Sequence, residues 1–359
     1  MKTIKHIRLL LFPIALLYGW LVRARNCMFN IGILKSERFP VPIISVGNIT
    51  VGGTGKTPLT EFIINVLKGD YKVALLSRGY KRTTKGLVLA NAQSTASEIG
   101  DEPKQILDKF ADITVAVSEK RVHGVNGLLA LDAAPDVIVM DDAYQHRYVQ
   151  PGLSILVVDY KRPLWKDIML PAGELREPMK GKKRAEIILF SKCPRQLSEA
   201  KQLELTRKIK PLPHQQVYFS TVTYQKPRML FNGQQNAKKI CLSDASALVV
   251  TGIANPAPFE KHIATLTSHM QSICFPDHYQ FTQKDVELIS KRFDELDGKN
   301  KFIVTTEKDA VRFKQVLSPC TPIARFIYFI PIQIEILNNK QAEFTDKIIS
   351  YVKQNKRNS

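Results

Sequence analysis

Gly52-Gly53-Thr54-Gly55-Lys56-Thr57 follows the apolar run Pro42-Ile43-Ile44-Ser45-Val46-Gly47 and precedes Leu59–Leu67. The run reads as a buried strand, the glycines as a tight loop and the segment beyond as a helix. That is the setting a phosphate-binding loop requires. Glycines let backbone N–H groups converge on phosphate oxygens, and a helix N-terminus adds partial positive charge. Lys56 is placed to reach the β- and γ-phosphates of a nucleotide, and the Thr57 hydroxyl to reach Mg²⁺. The nucleotide-binding residues expected are therefore Gly52, Gly53, Thr54, Gly55, Lys56 and Thr57. The usual first glycine of the motif would fall at Thr50, so Gly52 and Gly53 take over its flexibility.

Working outward, Val73–Ser77, Ile113–Val117, Val137–Met140, Leu153–Val158 and Ile187–Ser191 are short apolar runs with helical stretches between them. Strands alternating with helices predict an α/β fold with a doubly wound parallel sheet of the P-loop NTPase type. Pro211 and Pro213 interrupt this rhythm, Val217–Tyr224 alternates like an extended ribbon, and Phe231-Asn232-Gly233 reads as a turn. Ala247–Thr251 and Phe302–Thr306 then restart strands. The division expected is an N-terminal membrane-associated helix at 1–30, a P-loop core lobe at 31–212, a ribbon linker at 213–240, and a second, smaller α/β lobe at 241–359 with a polar tail.

Val137-Ile138-Val139-Met140 ends in Asp141-Asp142, and P-loop proteins place a metal-holding Asp at the end of such a strand. Three further segments stay open on residues alone. Asp101, in Gly100-Asp101-Glu102-Pro103, suits a helix cap or a catalytic acid. Gly173-Glu174-Leu175-Arg176-Glu177-Pro178 is a rigid polar loop that suits a surface turn or a phosphate or metal contact. His278, in Phe275-Pro276-Asp277-His278-Tyr279, suits an inert loop or a general base.

The net charge of +19 favours anionic partners. No recognition helix, zinc-finger spacing or RNP-like strand supports nucleic acid. The five cysteines are scattered without a C-x-x-C pair, which argues against a disulfide framework or structural zinc. Near the N-terminus, Leu9–Val22 is uncharged and mostly apolar, with Lys2, Lys5 and Arg8 before it and Arg23 and Arg25 after it. Its fourteen residues reach only ~21 Å as a helix, short of a ~30 Å hydrocarbon core. A helix lying in the membrane interface, Tyr18 and Trp20 at headgroup depth, fits better than a span.

The ordered set now becomes recognisable. Val46-Gly47-Asn48, the phosphate loop, Ser77-Arg78-Gly79-Tyr80, Gly100-Asp101-Glu102-Pro103, Asp141-Asp142 with Gln145-His146, and Leu170-Pro171-Ala172-Gly173 through Pro178 come first. Gly252-Ile253-Ala254-Asn255-Pro256, Phe275-Pro276-Asp277-His278 and Thr306-Glu307-Lys308-Asp309-Ala310 follow. Together they resemble the tetraacyldisaccharide 4'-kinase family of lipid A biosynthesis. The chain departs from the family pattern at Ala143-Tyr144, Glu174 and Ala254, none of them a candidate catalytic group.

The resemblance implies a monomeric enzyme on the cytoplasmic face of a bacterial inner membrane. It would use ATP and Mg²⁺ to phosphorylate the 4'-hydroxyl of a tetraacyl glucosamine disaccharide 1-phosphate. It also implies roles: Lys56, Asp101 and His278 catalytic; Thr57, Asp141, Asp142 and Glu177 on the metal; Asn48, Arg78 and Arg176 at the substrate. Arg78, Lys81 and Arg82 are expected near the substrate's phosphate, and Lys180, Lys182, Lys183 and Arg184 near anionic headgroups. The alternative is a membrane-associated P-loop ATPase or GTPase switch, which leaves Asp101 and His278 without a task.

Overall fold

The strand that opens the phosphate loop lies in the interior of a nine-stranded sheet ordered β14-β8-β7-β6-β1-β5-β2-β4-β3. In this computed structural model, which describes residues 10–231, 245–298 and 300–356, the first strands are β1 (Ile43–Gly47), β2 (Val73–Ser77), β3 (Val88–Leu89), β4 (Thr114–Val117) and β5 (Val137–Met140). β6 (Leu153–Asp159), β7 (Ile187–Ser191) and β8 (Gln216–Tyr224) follow. β1 pairs in parallel with β5 on one side and β6 on the other. β1, β2, β5, β6 and β7 are buried at every position, as strands covered by helices on both faces must be.

The second sheet is five-stranded, ordered β11-β10-β12-β13-β9. Its members are β9 (Arg228–Met229), β10 (Ser246–Thr251), β11 (His269–Cys274), β12 (Lys301–Thr306) and β13 (Ile327–Ile330). It has its own core, with Phe281 stacked on Phe313 at 4.0 Å between ring centroids.

The lobe boundaries differ from those read in the sequence. β8 is a strand of the large sheet, and β14 (Ile332–Ile336) returns from the small lobe to pair with it antiparallel. The chain leaves the large lobe after Tyr224 and re-enters at Ile332, two residues that face each other across this pair. Helix Gln341–Asn355 buries Phe344, Ile348 and Val352 in the large core. Residues 332–355 therefore belong to the first lobe, where the alternating pattern of Ile332, Ile334 and Ile336 completes a sheet edge. The turn expected at Asn232-Gly233, the boundary at 241, Cys241, the charges before Leu9 and the last three tail residues lie outside the described residues.

The N-terminal helix runs from Phe12 to Asn30. One side is fastened to the large lobe: the Tyr18 hydroxyl donates to the Arg176 carbonyl at 3.0 Å, Arg25 to the Gln145 carbonyl at 2.9 Å, and Asn26 to Glu177 at 2.8 Å. The other side leaves Ile14, Leu16, Leu17, Trp20 and Leu21 exposed, Trp20 at 62%. Among the described residues no helix is long and apolar enough to cross a membrane.

Candidate active site

The phosphate loop occupies the end of β1, and Gly55, at φ +91°, caps helix Lys56–Leu67 in the left-handed region that glycine enters without steric cost. Gly47, just before the loop, has no room for a side chain, because a Cβ there would come within 2.6 Å of Tyr144. Asn48 was expected at the substrate. It is instead fully buried beneath the loop, its amide donating to Thr54 Oγ1 at 2.8 Å, so its contact shapes the loop. Lys192 donates to the Gly53 carbonyl and Ser191 to the Thr54 carbonyl at 2.6 Å, fixing the loop's outer wall.

Asp141 and Asp142 stand at the end of β5, the strand next to β1. Lys56 Nζ lies 3.4 Å from Asp142 Oδ1, and Arg176 Nη1 lies 3.3 Å from Asp142 Oδ2. Asp142 itself takes a left-handed backbone, φ +46°, a strained geometry that an aspartate tolerates better than most residues. The Asp141 carboxyl is buried; Thr60 donates to its Oδ1 at 3.1 Å, and Oδ2 has no hydrogen-bond partner among the described residues. Burial, then the neighbouring Glu102 and Asp142 charges, push the Asp141 pKa up to about 7. Each of these two adjacent carboxylates carries a buried oxygen with no hydrogen-bond partner among the described residues, Oδ2 of Asp141 and Oδ1 of Asp142, and a divalent cation fits there. Among the described residues no three His, Cys, Asp or Glu side chains converge on one point. That suits Mg²⁺, which takes one or two carboxylates plus substrate phosphates, better than a fully caged metal.

Glu177 sits apart from this group. Both its oxygens are engaged by Arg184, and Asn26 also donates to Oε1. The carboxylate expected on the metal thus serves here to fasten the N-terminal helix and the 177–184 turn. Arg184 and Lys182 are correspondingly turned inward, Lys182 donating to the Lys210 carbonyl; only Lys180 and Lys183 of that basic run are exposed. Arg82 is likewise a structural pin, bound to the Val117 and Gly86 carbonyls and, at 2.6 Å, to Glu119. Arg78 is exposed beside the phosphate-loop face, its charge felt by Arg121 and His146.

Asp101 is the first residue of helix Asp101–Lys109, with Gly100 rather than Asp101 as its cap. Its carboxylate points at the small lobe. Arg312, on helix Glu307–Val316, contacts Asp101 Oδ2 through Nε and Nη2 at 2.9 Å each. His278 Nδ1 lies 3.5 Å from the same oxygen, and His278 holds a left-handed φ of +59°. Burial works to raise the Asp101 pKa, but the His278 hydrogen bond and the Arg312 charge outweigh it and hold the carboxyl below its ordinary range. The structure therefore brings Asp101 and His278 together across the two lobes.

A second tie crosses beside it. Lys308 donates to Glu102 at 2.9 Å. The Lys308 charge, overcoming burial and helped by Lys56 and the Thr57 hydroxyl, pulls the Glu102 pKa down to about 2. Arg312, Lys308, Glu102 and the buried Arg121 are residues that sequence reasoning missed as parts of the site. Thr306-Glu307-Lys308-Asp309-Ala310 was visible as a motif, and Arg312 lies on the same helix face as Asp309, one turn on. Glu102 stood in a quoted motif, Gly100-Asp101-Glu102-Pro103, without a role of its own, and nothing local marked Arg121.

A P-loop, a carboxylate pair at the adjacent strand end and an acid facing a histidine across a cleft are the parts of a phosphotransferase. The family model for Tetraacyldisaccharide-1-P 4'-kinase matches residues 7–353. The chain belongs to the tetraacyldisaccharide-1-P 4'-kinase family. It is 46% identical over 352 residues to the tetraacyldisaccharide 4'-kinase of Phocaeicola vulgatus, covering 97% of this chain and 96% of that one. It is 44% identical over 358 residues to the enzyme of that name from Bacteroides thetaiotaomicron, with 97% and 94% covered. A crystal structure of LpxK from Aquifex aeolicus in complex with ATP superposes with a TM-score of 0.72 at 27% identity, covering 96% of this chain and 99% of that one. The P-loop kinase fold and the family expected from the sequence are thus both found.

Proposed function

We propose that this kinase transfers the γ-phosphate of ATP to the 4'-hydroxyl of a tetraacyl glucosamine disaccharide 1-phosphate, in lipid A biosynthesis. The observation that carries the reading is the alignment of two half-sites. Lys56 and the Asp141–Asp142 pair stand at the phosphate loop, and Asp101 faces His278 on the opposing lobe. Backbone N–H groups of Gly53–Lys56 and the Lys56 ammonium would hold the triphosphate. Thr57 with Asp141 and Asp142 would hold Mg²⁺; bound there, it would neutralise charge on the β- and γ-phosphate oxygens. Asp101 takes the proton from the sugar hydroxyl as its oxygen forms the new bond to phosphorus. The bond between phosphorus and the β–γ bridging oxygen breaks, and its electron pair leaves with ADP. Arg176 and Arg78 supply positive charge for phosphate oxygens on either side of this centre. Lobe contact excludes water, so the triphosphate is not spent on hydrolysis.

The acyl chains and the membrane surface call for apolar contact, and the exposed side of helix Phe12–Asn30 provides it. The hydrogen bonds from Tyr18 and Asn26 tie that helix to the Arg176–Glu177 segment, so a lipid held on the helix enters next to the phosphate loop. The place of action this supports is the cytoplasmic face of the inner membrane, where ATP is available. Replacing Leu16, Leu17, Trp20 and Leu21 together by glutamine should cut binding to anionic phospholipid vesicles by about 100-fold or more, with the melting midpoint unchanged. Vesicle binding equal to wild type would remove the helix from this role. The function itself is tested with γ-labelled ATP, Mg²⁺ and acylated disaccharide 1-phosphate. The label should move to the lipid on chromatography, and release of free phosphate without labelled lipid would instead favour the switch.

A further inference from the structure

The motif Thr306-Glu307-Lys308-Asp309-Ala310 opens helix Glu307–Val316, yet transfer as described gives its segment no task. Arg312 on this helix is the largest fully buried side chain among the described residues, its side chain only 1% exposed. An arginine is charged under all working conditions, and burying it is costly unless every N–H is used. Here every one is. Nη1 donates to the Gly252 carbonyl at 3.0 Å and to Asp309 Oδ1 at 2.9 Å. Nε and Nη2 both reach Asp101 Oδ2 at 2.9 Å, and Nη2 also approaches His278 Nδ1 at 3.2 Å. Asp309 in turn accepts from the Gly252 N–H at 3.0 Å and from the Thr306 hydroxyl at 2.7 Å, so the guanidinium sits in a rigid frame.

This geometry divides the two oxygens of Asp101. Oδ2 is occupied by the guanidinium, whereas Oδ1 accepts no hydrogen bond among the described residues. It also places the histidine: His278 Nδ1 lies between the two partners, 3.2 Å from Arg312 Nη2 and 3.5 Å from Asp101 Oδ2. We propose that Arg312 is a positioning residue for phosphoryl transfer: by holding Asp101 Oδ2 and the His278 ring, it aims Asp101 Oδ1 at the acceptor hydroxyl and links that aim to contact between the lobes. This rests on Asp101 being the proton acceptor. Arg312 lies on the small lobe and Asp101 on the large one, so the acceptor is aligned only while the two lobes meet. The other groups facing Asp101 are His278, whose ring packs edge-on to Tyr80 at 6.1 Å, the neighbouring Glu102 with its partner Lys308, and Asp309 through Arg312.

Arg312→Lys keeps the charge and removes the fork. In the full-length kinase it should lower kcat by about 10–100-fold, while KM for ATP stays within about twofold because the phosphate loop is untouched. The acid limb of kcat against pH should move to higher pH, since Asp101 loses the donors that favour its ionised form. Arg312→Ala should be slower still and should regain part of kcat when guanidinium is added. A structural pair with Asp309 alone would lower the melting midpoint without moving the pH limb. The proposal is overturned if Arg312→Lys retains wild-type kcat and pH limb. It is overturned equally if both variants fail to fold, which would place Arg312 in the scaffold, or if folded Arg312→Ala shows no guanidinium rescue. Asp101→Asn separates the two claims: if it still transfers phosphate, the proton-acceptor reading itself fails; if it is inactive while Arg312→Lys is normal, only the role of Arg312 falls.

Discussion

The two walls of the site are built in opposite ways. The phosphate-loop wall is local: Gly52 to Thr57 are contiguous, and the strand before them and the helix after them hold them in place. The opposing wall is assembled at long range. Asp101 and Arg312 are 211 positions apart, Glu102 and Lys308 206 apart, and His278 comes from a loop 34 residues before Arg312. A local wall survives small shifts of the rest of the molecule. An assembled wall exists only when the lobes are in register, which makes it suited to gating chemistry on substrate arrival.

That contrast makes ordered predictions. Lys56→Ala strikes the local wall and should cost about 10²–10³-fold in kcat/KM, with ATP affinity reduced. Isothermal titration with nucleotide and a transfer assay check it, and full ATP affinity would break the assignment of Lys56 to the triphosphate. Lys308→Ala strikes the assembled wall away from the reacting atoms. It should cost only about tenfold in kcat/KM, the equivalent of roughly 1.4 kcal/mol, because it loosens lobe contact and frees the Glu102 charge beside Thr57. A loss as large as that of Lys56→Ala would show that the two walls are not separable in this way.

The smallest effect concerns stability. Glu61, on the phosphate-loop helix, is bound by Gln105 at 2.6 Å and Lys109 at 2.6 Å, and Lys109 also reaches Glu307 of the small lobe at 3.1 Å. Burial, then the Glu307 charge, raise the Glu61 pKa from 4.5 to about 7. The native state thus holds a proton more tightly than the unfolded chain, and stability falls as pH rises from about 4.5 to about 7. In Glu61→Gln that fall should shrink, changing the melting midpoint between pH 5 and pH 8 by about 2 °C relative to wild type. Parallel melting curves for the two proteins would contradict it.

The same contrast explains what was legible in the sequence. The phosphate loop, the Asp141–Asp142 strand end and the parallel strands could be read because each signal lies within a few consecutive residues. Asp101 and His278 could be paired only through the family resemblance, since neither carries a local mark. Lys308 was quoted within a motif but given no role, and Arg312 lay just beyond that motif. Asn48, Glu177, Arg82 and Arg184 show the converse. Their residue types suit a ligand, and in this fold their side chains hold the phosphate loop, the N-terminal helix with the 177–184 turn, and the Gly86 segment against Val117 and Glu119. The return of Ile332–Ile336 to the large sheet was hidden for a physical reason: an alternating strand fits either sheet edge, and only the antiparallel partner Ser220–Tyr224 decides.

On the proposed mechanism, catalysis is completed across the lobes, with nucleotide held on one wall and the proton accepted at Asp101 facing the other. The most direct measurement is Asp101→Asn assayed side by side for ATP binding by titration and for transfer of γ-label to acylated disaccharide 1-phosphate at saturating ATP and Mg²⁺. ATP affinity within about twofold of wild type and transfer reduced by about 10²–10⁴-fold are expected. Transfer at the wild-type rate would contradict the mechanism.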